Sequence, residues 1–412
     1  MELRVETTPT AALWTDGRRK RKSTPPSSSL RDLHDDMLER VLARLPPASY
    51  FRLRAVCRRW RAAAASTTFL DACARVPSRD PWFLMLSESV SGSSPRPAVA
   101  FDAAERGWNH CRAAPGSMPV AASGGLVLYR APDTGALAVA NPLTGASRAL
   151  PEPPRQAGRQ LQAIAMYGAP AYRVALFTGE LPDLSMAVFD SSNGSWEGPV
   201  PLARMSEVSC LDAPGQGGGA DDTVYFLSKS GDVVATNMQR SSSKQYSSVV
   251  VPSPVHSEGD AVAYFLSHSG TVVACDTARR TFCELPRILP VYFEYSIDVV
   301  ACGGAAYAVV LSEYLDTASL RVWEFAGGSW RQVAAMPPAM SHGFHGKRAD
   351  INCVGHGDRL MVCVSSGEAN GCFMCDVGSN RWEELPKYVN GDGEANEFLA
   401  AFSFEPRVEI TV

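Results

Sequence analysis

A unit of about 40 to 50 residues recurs from residue 81 onward, and this recurrence restricts the fold more than any other feature of the chain. In each unit an apolar segment ends near an acidic or amide residue, a turn follows, and the next segment often contains Trp. The equivalent positions are Asp102, Asn141, Asp190, Asn237, Asp276, Glu324 and Asp376. They are separated by 39, 49, 47, 39, 48 and 52 residues. This spacing predicts the four-stranded blades of a β-propeller, and hence a mainly β protein.

The chemistry within each unit supports antiparallel strands joined by tight turns. Asp or Asn favours the start of a turn, and Asn193 followed by Gly194 suits positive φ angles. Trp occurs in the returning segment at positions 108, 196, 330 and 382, where a large flat ring can fill the gap between neighbouring sheets. Paired glycines at 124–125 and 303–304 precede another strand, although they are equally consistent with ordinary turns.

A ring of blades has to close, because an open edge strand invites aggregation. The segments at residues 81–86 and 397–412 are apolar and lie at the two ends of the repeated region. We expect them to share one blade. The unit around Asn237 lacks Trp, so the pattern predicts either six or seven blades.

The segment LHDDMLERVLARLPPASYFRLRAVCRRW, residues 33–60, is predicted to be helical. Asp35 or Asp36 can begin the first helix, with Glu39 completing a capping box, and Pro46 and Pro47 end it. A second helical segment follows from residue 50 to about 65. Some 40 residues bury too little surface to be robust alone. By composition alone, the segment is equally consistent with a docking module and with an ordinary helical cap on the β domain.

The order and spacing of apolar residues in this segment resemble the F-box, over about residues 30–74. His34 departs from the pattern, in which proline usually follows the first leucine. The resemblance implies a small three-helix domain that binds the Skp adaptor of a cullin-based ubiquitin ligase. The residues that it assigns to this contact are Leu33, Leu38, Val41, Leu42, Leu45, Pro46, Phe51, Leu53, Val56, Cys57, Trp60 and Phe69.

Together with the stretches SGGLVLYR, NPLTGASRALP and LRVWEFAGGSWRQVAAMPP, the helical segment makes the chain resemble plant F-box/kelch-repeat proteins. The resemblance implies an F-box at 30–76 and a kelch-like propeller at 80–412. It implies a non-catalytic subunit that joins a Skp-type adaptor, and through it a cullin, to a target protein that the propeller binds for ubiquitination. The alternatives are a scaffold that does not promote degradation and a transcriptional co-regulator using the same propeller.

Charge and composition limit the other classes of function that the protein could have. A net charge of −4 provides no general attraction to nucleic acid or to an anionic membrane, and no run approaches the ~18 apolar residues of a membrane span. The eleven cysteines are odd in number and scattered, so we expect reduced thiols in an intracellular protein. Residues 1–29 are predicted to be a disordered arm. Its basic cluster consists of Arg18, Arg19, Lys20, Arg21 and Lys22. We expect this cluster to direct import into the nucleus, with the cytoplasm as a second location. The alternative is a solvated tail that nothing recognises.

Motifs for catalysis, metals and cofactors are weak, and we expect none of the three. Cys372 and Cys375 form a C-x-x-C in an apolar strand without a second pair, and a zinc set of His342, His345, Cys353 and His356 matches no known spacing. A copper enzyme would need a Tyr, His and Cys constellation that the sequence does not display. Candidate loops for binding the target are residues 210–222, 240–260, 339–350 and 387–397, because they are long, polar and rich in glycine or serine.

Overall fold

The computed structural model of the 412-residue chain describes residues 33–87, 98–112, 117–154, 158–205, 225–227, 233–235, 246–252, 261–267, 271–288, 295–314, 317–347, 349–366, 370–390, 393 and 397–412. Within them, short helices at the front precede a ring of antiparallel sheets. The predicted arm at 1–29, its basic cluster, Asn237 and the candidate loop at 210–222 lie outside the described residues.

The front of the described chain forms a helical module, which we define as residues 33–79. Its helices are α1 (Asp35–Arg44), α2 (Pro47–Leu53), α3 (Arg58–Ala63) and α4 (Thr67–Ala74). Four helices therefore stand where three were expected. The second predicted segment is interrupted because Cys57 is extended and caps α3, its sulfur accepting a hydrogen bond from the Trp60 N–H at 3.5 Å. As predicted, the first helix ends before Pro46.

The predicted capping box at the start of α1 does not form. His34 is the N-cap residue and no side chain caps the helix. The carboxylate of Glu39 is buried and accepts a hydrogen bond from the Ser66 hydroxyl at 2.6 Å. The same hydroxyl caps α4 by accepting from the Phe69 N–H at 3.0 Å. Glu39 therefore joins α1 to α4 through Ser66 and takes no part in capping α1.

The β domain consists of six four-stranded antiparallel blades, each with its first strand nearest the central axis. Blade I contains β27 (Phe398–Phe404), β1 (Trp82–Ser87), β2 (Ala98–Asp102) and β3 (Gly107–Cys111). Blade II contains β4 (Met118–Ser123), β5 (Leu126–Arg130), β6 (Leu137–Ala140) and β7 (Ser147–Ala149). Blade III contains β8 (Leu161–Tyr167), β9 (Arg173–Glu180), β10 (Asp183–Asp190) and β11 (Ser195–Pro201).

The other three blades follow the same order of strands. Blade IV contains β15 (Val249–Pro252), β16 (Ala261–Leu266), β17 (Val272–Asp276) and β18 (Thr281–Glu284). Blade V contains β19 (Tyr295–Cys302), β20 (Ala305–Tyr314), β21 (Thr317–Ala326) and β22 (Ser329–Ala335). Blade VI contains β23 (Asp350–His356), β24 (Arg359–Ser365), β25 (Asn370–Asp376) and β26 (Arg381–Glu384). Between blades V and VI lie α5 (Pro338–Ser341) and a short 3-10 helix (His342–Phe344).

The ring closes with six blades, which is the smaller of the two predicted counts. The first strand of blade III lies directly beside that of blade IV, where the Ile164 N–H donates to the carbonyl of Tyr246 at 2.7 Å. Between these blades, β12 (Ala203–Arg204) pairs parallel with β18. β13 (Tyr225–Leu227) pairs only with β14 (Val233–Ala235). Within the described residues, the seventh sequence unit is thus an insertion between two blades and not a blade.

The predicted turns are confirmed in five blades. The side-chain oxygen of the turn-starting residue accepts hydrogen bonds from backbone N–H groups two or three residues later, at Asp102, Asn141, Asp190, Asp276 and Asp376. The residue four positions later has positive φ in every case: Arg106, Gly145, Gly194, Arg280 and Asn380. The turn of blade V differs, because two glycines at 327 and 328 carry the positive φ angles there.

The tryptophans of the returning strands fill the gaps between blades, as predicted. The indole N–H of Trp196 in blade III donates to the Pro151 carbonyl after blade II at 2.9 Å. That of Trp330 in blade V donates to the Pro286 carbonyl after blade IV at 2.6 Å. Each hydrogen bond therefore fixes one blade against the blade before it.

The two ends of the repeated region share blade I, as expected. β1 pairs on one side with β2 and on the other with β27, where Trp82 lies opposite Phe404. Both residues are buried. The last strand therefore closes the ring by covering the inner edge of the first.

Candidate docking module and propeller faces

The helical module has a core of its own. Leu38 and Leu42 of α1 and Phe69 of α4 are about 1% exposed, and the ring of Tyr50 stacks on Phe69 at 5.2 Å. Three of the twelve residues that the sequence assigned to adaptor contact therefore lie inside the module. In this arrangement they stabilise its fold and are not at its surface.

The other nine assigned residues are partly or fully accessible. Those that are partly buried are Leu33, Leu45, Phe51, Leu53 and Trp60. Those that are exposed are Val41, Pro46, Val56 and Cys57. The structure adds two exposed apolar side chains, Met37 and Leu70, that the sequence analysis missed. Met37 had a usable signal, because it precedes Val41 by four residues and so shares its helix face.

Exposed apolar side chains are concentrated in the helical module. Large exposed hydrophobic residues in the described part of the chain are Met37, Val41, Val56, Leu70, Met118 and Val389. The first four belong to the module, with Val56 the most accessible at 67%. We call these four the exposed apolar residues of the module. Such a concentration on a small domain is typical of a protein interaction site.

The module is also strongly basic in a chain that is acidic overall. Between residues 33 and 79 there are nine arginines and four carboxylates, whereas the whole chain has a net charge of −4. Arg40 and Arg44 of α1 and Arg58 and Arg61 of α3 are exposed. Apolar side chains amid unbalanced positive charge favour a partner with an acidic surface.

The module attaches to the propeller without covering these residues. In α2 the Ser49 hydroxyl and the Arg52 guanidinium both contact Glu105 of blade I, at 2.8 and 3.0 Å. After α4, the Arg79 guanidinium donates to the carbonyls of Ala43 and Leu45 at the end of α1. Thus α2 contacts the propeller, whereas the Arg79 bonds hold the chain leaving α4 against α1 within the module. Val41 and Val56 stay accessible at 44% and 67%.

The propeller has two distinct faces. The turn face carries the turns between the first and second and between the third and fourth strands of each blade. The connection face carries the links between the second and third strands and between successive blades. In blade I, β27 ends and β1 begins at the turn face, so the helical module lies there. The candidate loops at 339–350 and 387–397 lead into first strands, which places their described parts at the connection face.

A cavity of about 390 Å³ lies on the central axis, lined by residues from the first strands of all six blades. Among its lining residues are Ser123, Ser248 and Ser403, and none of the residues lining it is charged. Small side chains such as Ala122 and Ala301 allow the strands to meet closely. The described lining of this cavity therefore offers mainly hydroxyl and apolar contacts.

The two cysteines of the C-x-x-C, Cys372 and Cys375, do not point to a common side of their strand. Cys372 and Cys375 lie on opposite faces of β25, and the sulfur of Cys372 approaches that of Cys363 on β24 at 3.7 Å. Burial raises the pKa of the Cys375 thiol to about 12, and that of Cys302 likewise to about 12. These thiols are therefore protonated and weakly nucleophilic at neutral pH.

Two histidines of the candidate zinc set, His342 and His356, differ in their exposure to solvent. His342 is exposed, whereas burial lowers the pKa of His356. No group of three or more His, Cys, Asp or Glu side chains in the described residues could hold a metal ion. None of the helices described here is long and apolar enough to cross a membrane.

The described structure is thus a helical module with exposed apolar residues, fixed to a β-propeller. Residues 30–71 match the family model of the F-box domain. F-box only protein 13 of Arabidopsis thaliana is 42% identical over 403 residues, covering 92% of this chain and 85% of the relative. An F-box/kelch-repeat protein of the same plant is 35% identical over 132 residues, or 30% of each chain. The chain therefore belongs to the plant F-box protein family that includes F-box/kelch-repeat proteins.

Among solved structures, TolB from Acinetobacter baumannii matches with a TM-score of 0.42 and 10% identity, covering 84% of this chain and 72% of that one. The family relationship therefore comes from the sequence matches. The matched F-box domain coincides with the helical module, which precedes the propeller.

Proposed function

We propose that the protein is the substrate-recognition subunit of an SCF-type E3 ubiquitin ligase. Its F-box binds a Skp-type adaptor and through it a cullin, and its propeller binds a target protein for ubiquitination. The observation that carries this proposal is the uncovered state of Val41 and Val56 on a module whose own core is complete. Apolar side chains that neither the module nor the propeller buries are available to a separate protein.

The energetics of this contact are favourable for a small surface. Fully burying one large apolar side chain contributes ~1.5–3 kcal/mol, and the four exposed apolar residues are each between 37% and 67% exposed beforehand. Partly buried Leu45, Phe51 and Trp60 can extend the contact. Part of the gain is offset by the loss of translational and rotational freedom on association. The exposed arginines then speed association with an acidic adaptor surface.

The connection face is the surface we propose for the target protein. It is the face not occupied by the helical module, and it carries the longer links, including α5 and the 3-10 helix at residues 338–344. Loops on a rigid scaffold are where binding residues commonly lie. Binding there leaves the adaptor and the target on separate surfaces of one chain.

The subunit itself supplies no catalytic group in this proposal. It acts by holding lysines of the target near a ubiquitin carrier on the same assembly, which raises their effective concentration. We further propose that Arg18, Arg19, Lys20, Arg21 and Lys22 direct the protein to the nucleus.

The docking proposal is tested with a surface variant that leaves the module's core intact. Replacing both Val41 and Val56 by Asp places carboxylates where apolar contact is proposed, and affinity for a purified Skp-type adaptor should fall by about 100-fold or more. Calorimetry measures this affinity, and rising NaCl should weaken binding of the unmodified chain. The matched control is Val389→Asp, which alters a propeller valine that is 55% exposed. Adaptor binding that survives in the double variant overturns the proposal.

The ubiquitination step has its own test. Proteins that copurify with the intact chain are added to a ligase reconstituted with adaptor, cullin and ubiquitin carrier. A bound partner should gain ubiquitin with the intact chain and not with the Val41→Asp, Val56→Asp variant. Partners that bind both chains and never gain ubiquitin would instead indicate a scaffold or a co-regulator.

A further inference from the structure

We propose that the C-terminal tail, residues 405–412, is a strap that holds the helical module in one orientation on the turn face, with Asn141 and Arg407 as its positioning residues. The tail leaves the propeller at the end of β27 and runs between the module and blade II. The strap is inferred from the contacts of the tail alone. Only its consequence for ubiquitin transfer rests on the proposed function.

Arg407 joins the tail to the chain that leaves the helical module. Its guanidinium donates to the Val76 carbonyl at 3.1 and 3.2 Å and to the Pro77 carbonyl at 3.0 Å. It also pairs with Glu405 at 2.7 Å and with Glu409 at 3.0 Å. The Arg407 side chain is only 12% exposed. A largely enclosed cation with this many partners fixes the backbone that it contacts.

Apolar side chains of the tail enter both domains. Val408 packs against the core of the helical module, next to the cluster that contains Leu38 and Phe69. Ile410 and Val412 pack against the core shared by blades II and III. One short segment therefore contributes to two hydrophobic cores, so that rotation of the module would expose apolar surface.

Asn141 anchors the tail to blade II. Its side-chain amide donates to the carbonyls of Arg407 at 2.8 Å and Ile410 at 3.0 Å, while its oxygen caps the turn that it starts. The equivalent turns of four other blades begin with Asp, which has no amide to donate. The tail thus explains why the turn of blade II uses Asn.

The close approach of the tail also accounts for one of the paired glycines. Gly125 has φ +109°, and a Cβ atom there would lie 2.9 Å from the Glu405 carbonyl oxygen and 3.2 Å from the Arg407 Cβ. A side chain at this position would therefore push the tail away from blade II. The glycine is required by contact with the strap as well as by its own turn.

Glu409 brings a charge into the same junction. Its side chain is 4% exposed beside the Arg407 guanidinium. Burial, together with the charge of Glu409, raises the pKa of the Cys73 thiol in α4 to about 11. The carboxylate therefore lies close to the last helix of the module. Arg407 and Glu409 lie on the same tail, so their ion pair holds the guanidinium in place for its hydrogen bonds to the Val76 and Pro77 carbonyls.

A fixed module matters for the proposed function because ubiquitin transfer depends on geometry. The adaptor would hold the module, and the target would be held by the propeller. A hinge between the two would lower the effective concentration of target lysines at the ubiquitin carrier. The strap removes this hinge.

The sharpest test replaces one side-chain amide by a carboxylate. Asn141→Asp keeps the oxygen that caps the turn, as in four other blades, but replaces the donor to the tail with an acceptor. Asp276→Asn makes the reverse change at a turn that the tail does not touch. In Asn141→Asp, amide hydrogen exchange at residues 75–81 should accelerate by about tenfold or more, since the junction opens more often. In Asp276→Asn it should stay as in the unmodified chain.

Arg407→Ala is a second variant, in which we expect the same acceleration of amide hydrogen exchange at residues 75–81. Circular dichroism checks that each variant is folded, and should Arg407→Ala fail to fold, Asn141→Asp decides alone. Folded variants with unmodified exchange in this segment overturn the strap.

The transfer readout separates the strap from the proposed function. In a reconstituted ligase, the strap variants should bind adaptor and target with unmodified affinity but transfer ubiquitin several-fold more slowly. Faster exchange with unmodified transfer overturns the positioning role. An adaptor that never binds the intact chain overturns the proposed function, whereas the exchange result still supports the strap.

Discussion

The Ser66 hydroxyl donates to the buried Glu39 carboxylate at 2.6 Å and accepts from the Phe69 N–H at 3.0 Å, so one side chain both caps α4 and joins it to α1. The two helices enclose the core of the module. The relative position of α1 and α4, and so the shape of the surface proposed for the adaptor, depends on this link.

Ser66→Ala should destabilise the module by about 1–2 kcal/mol, because it removes a helix cap and leaves Glu39 without this partner. Hydrogen exchange in α4 measures the effect. Thr67→Ala, at the exposed neighbouring position, is the matched control. Equal protection of α4 in the two variants would show that the link contributes nothing.

Replacing Trp330 by Phe should lower the free energy of unfolding by about 1–3 kcal/mol, because the Pro286 carbonyl loses its indole donor between blades IV and V. The control is Trp323→Phe. The Trp323 indole N–H is buried without a hydrogen-bond partner in the described part of the chain, so its removal should cost less. Urea unfolding compares the two variants, and a larger loss in Trp323→Phe contradicts the role given to the inter-blade bond.

Deleting residues 397–412 should prevent the propeller from forming a stable monomer, because β1 would then expose a long apolar edge. Gel filtration and circular dichroism measure the outcome. Phe404→Ala tests the same closure more mildly. The ring of Phe404 is 1% exposed, and its loss should cost about 3–5 kcal/mol. A folded monomer without residues 397–412 would show that the ring does not depend on the last strand.

Alkaline pH should destabilise the fold through its buried thiols. Burial raises the pKa of Cys111, Cys302 and Cys375 to about 12 from the ordinary value of 9.0. Above pH 9 the unfolded chain loses these protons while the folded chain retains them, so stability falls as pH rises from about 9 toward 12. Urea midpoints between pH 8 and 10.5 measure the fall.

The variant that tests this pH dependence is Cys302→Ala, compared with the unmodified chain. Removing this buried thiol should flatten the fall in midpoint with pH. A parallel pH dependence in Cys302→Ala and the unmodified chain would mean that other groups cause the alkaline destabilisation.

Local features of the propeller were predictable because the residues that create them are close in sequence. Asp102, Asp190 and their equivalents form the turns that their position before a polar break predicts. The Trp that follows six residues after such a position, as at 196 and 330, lies where a large ring is needed. The shared blade followed from two apolar ends and the need to close a ring.

Features that depend on distant residues could not be read in the same way. The seventh sequence unit has the right period, yet contact between β8 and β15 leaves no place for a seventh blade. The apolar stripe of α1 contains Leu38 and Val41 alike, and only the position of α4 determines that the first is buried and the second exposed. In the sequence, Asn141 resembles the other turn residues. Its additional role depends on the tail, which provides hydrogen-bond acceptors for its amide.

Blade I joins residues near position 82 to residues near position 404, and this pairing orders events during synthesis. The four helices leave the ribosome first, with most of their core residues already present. The ring has no inner strand for its first blade until residues 398–404 have emerged. The surface proposed for the adaptor can therefore form early, whereas the ring that carries the proposed target surface can close only after residues 398–404 are made.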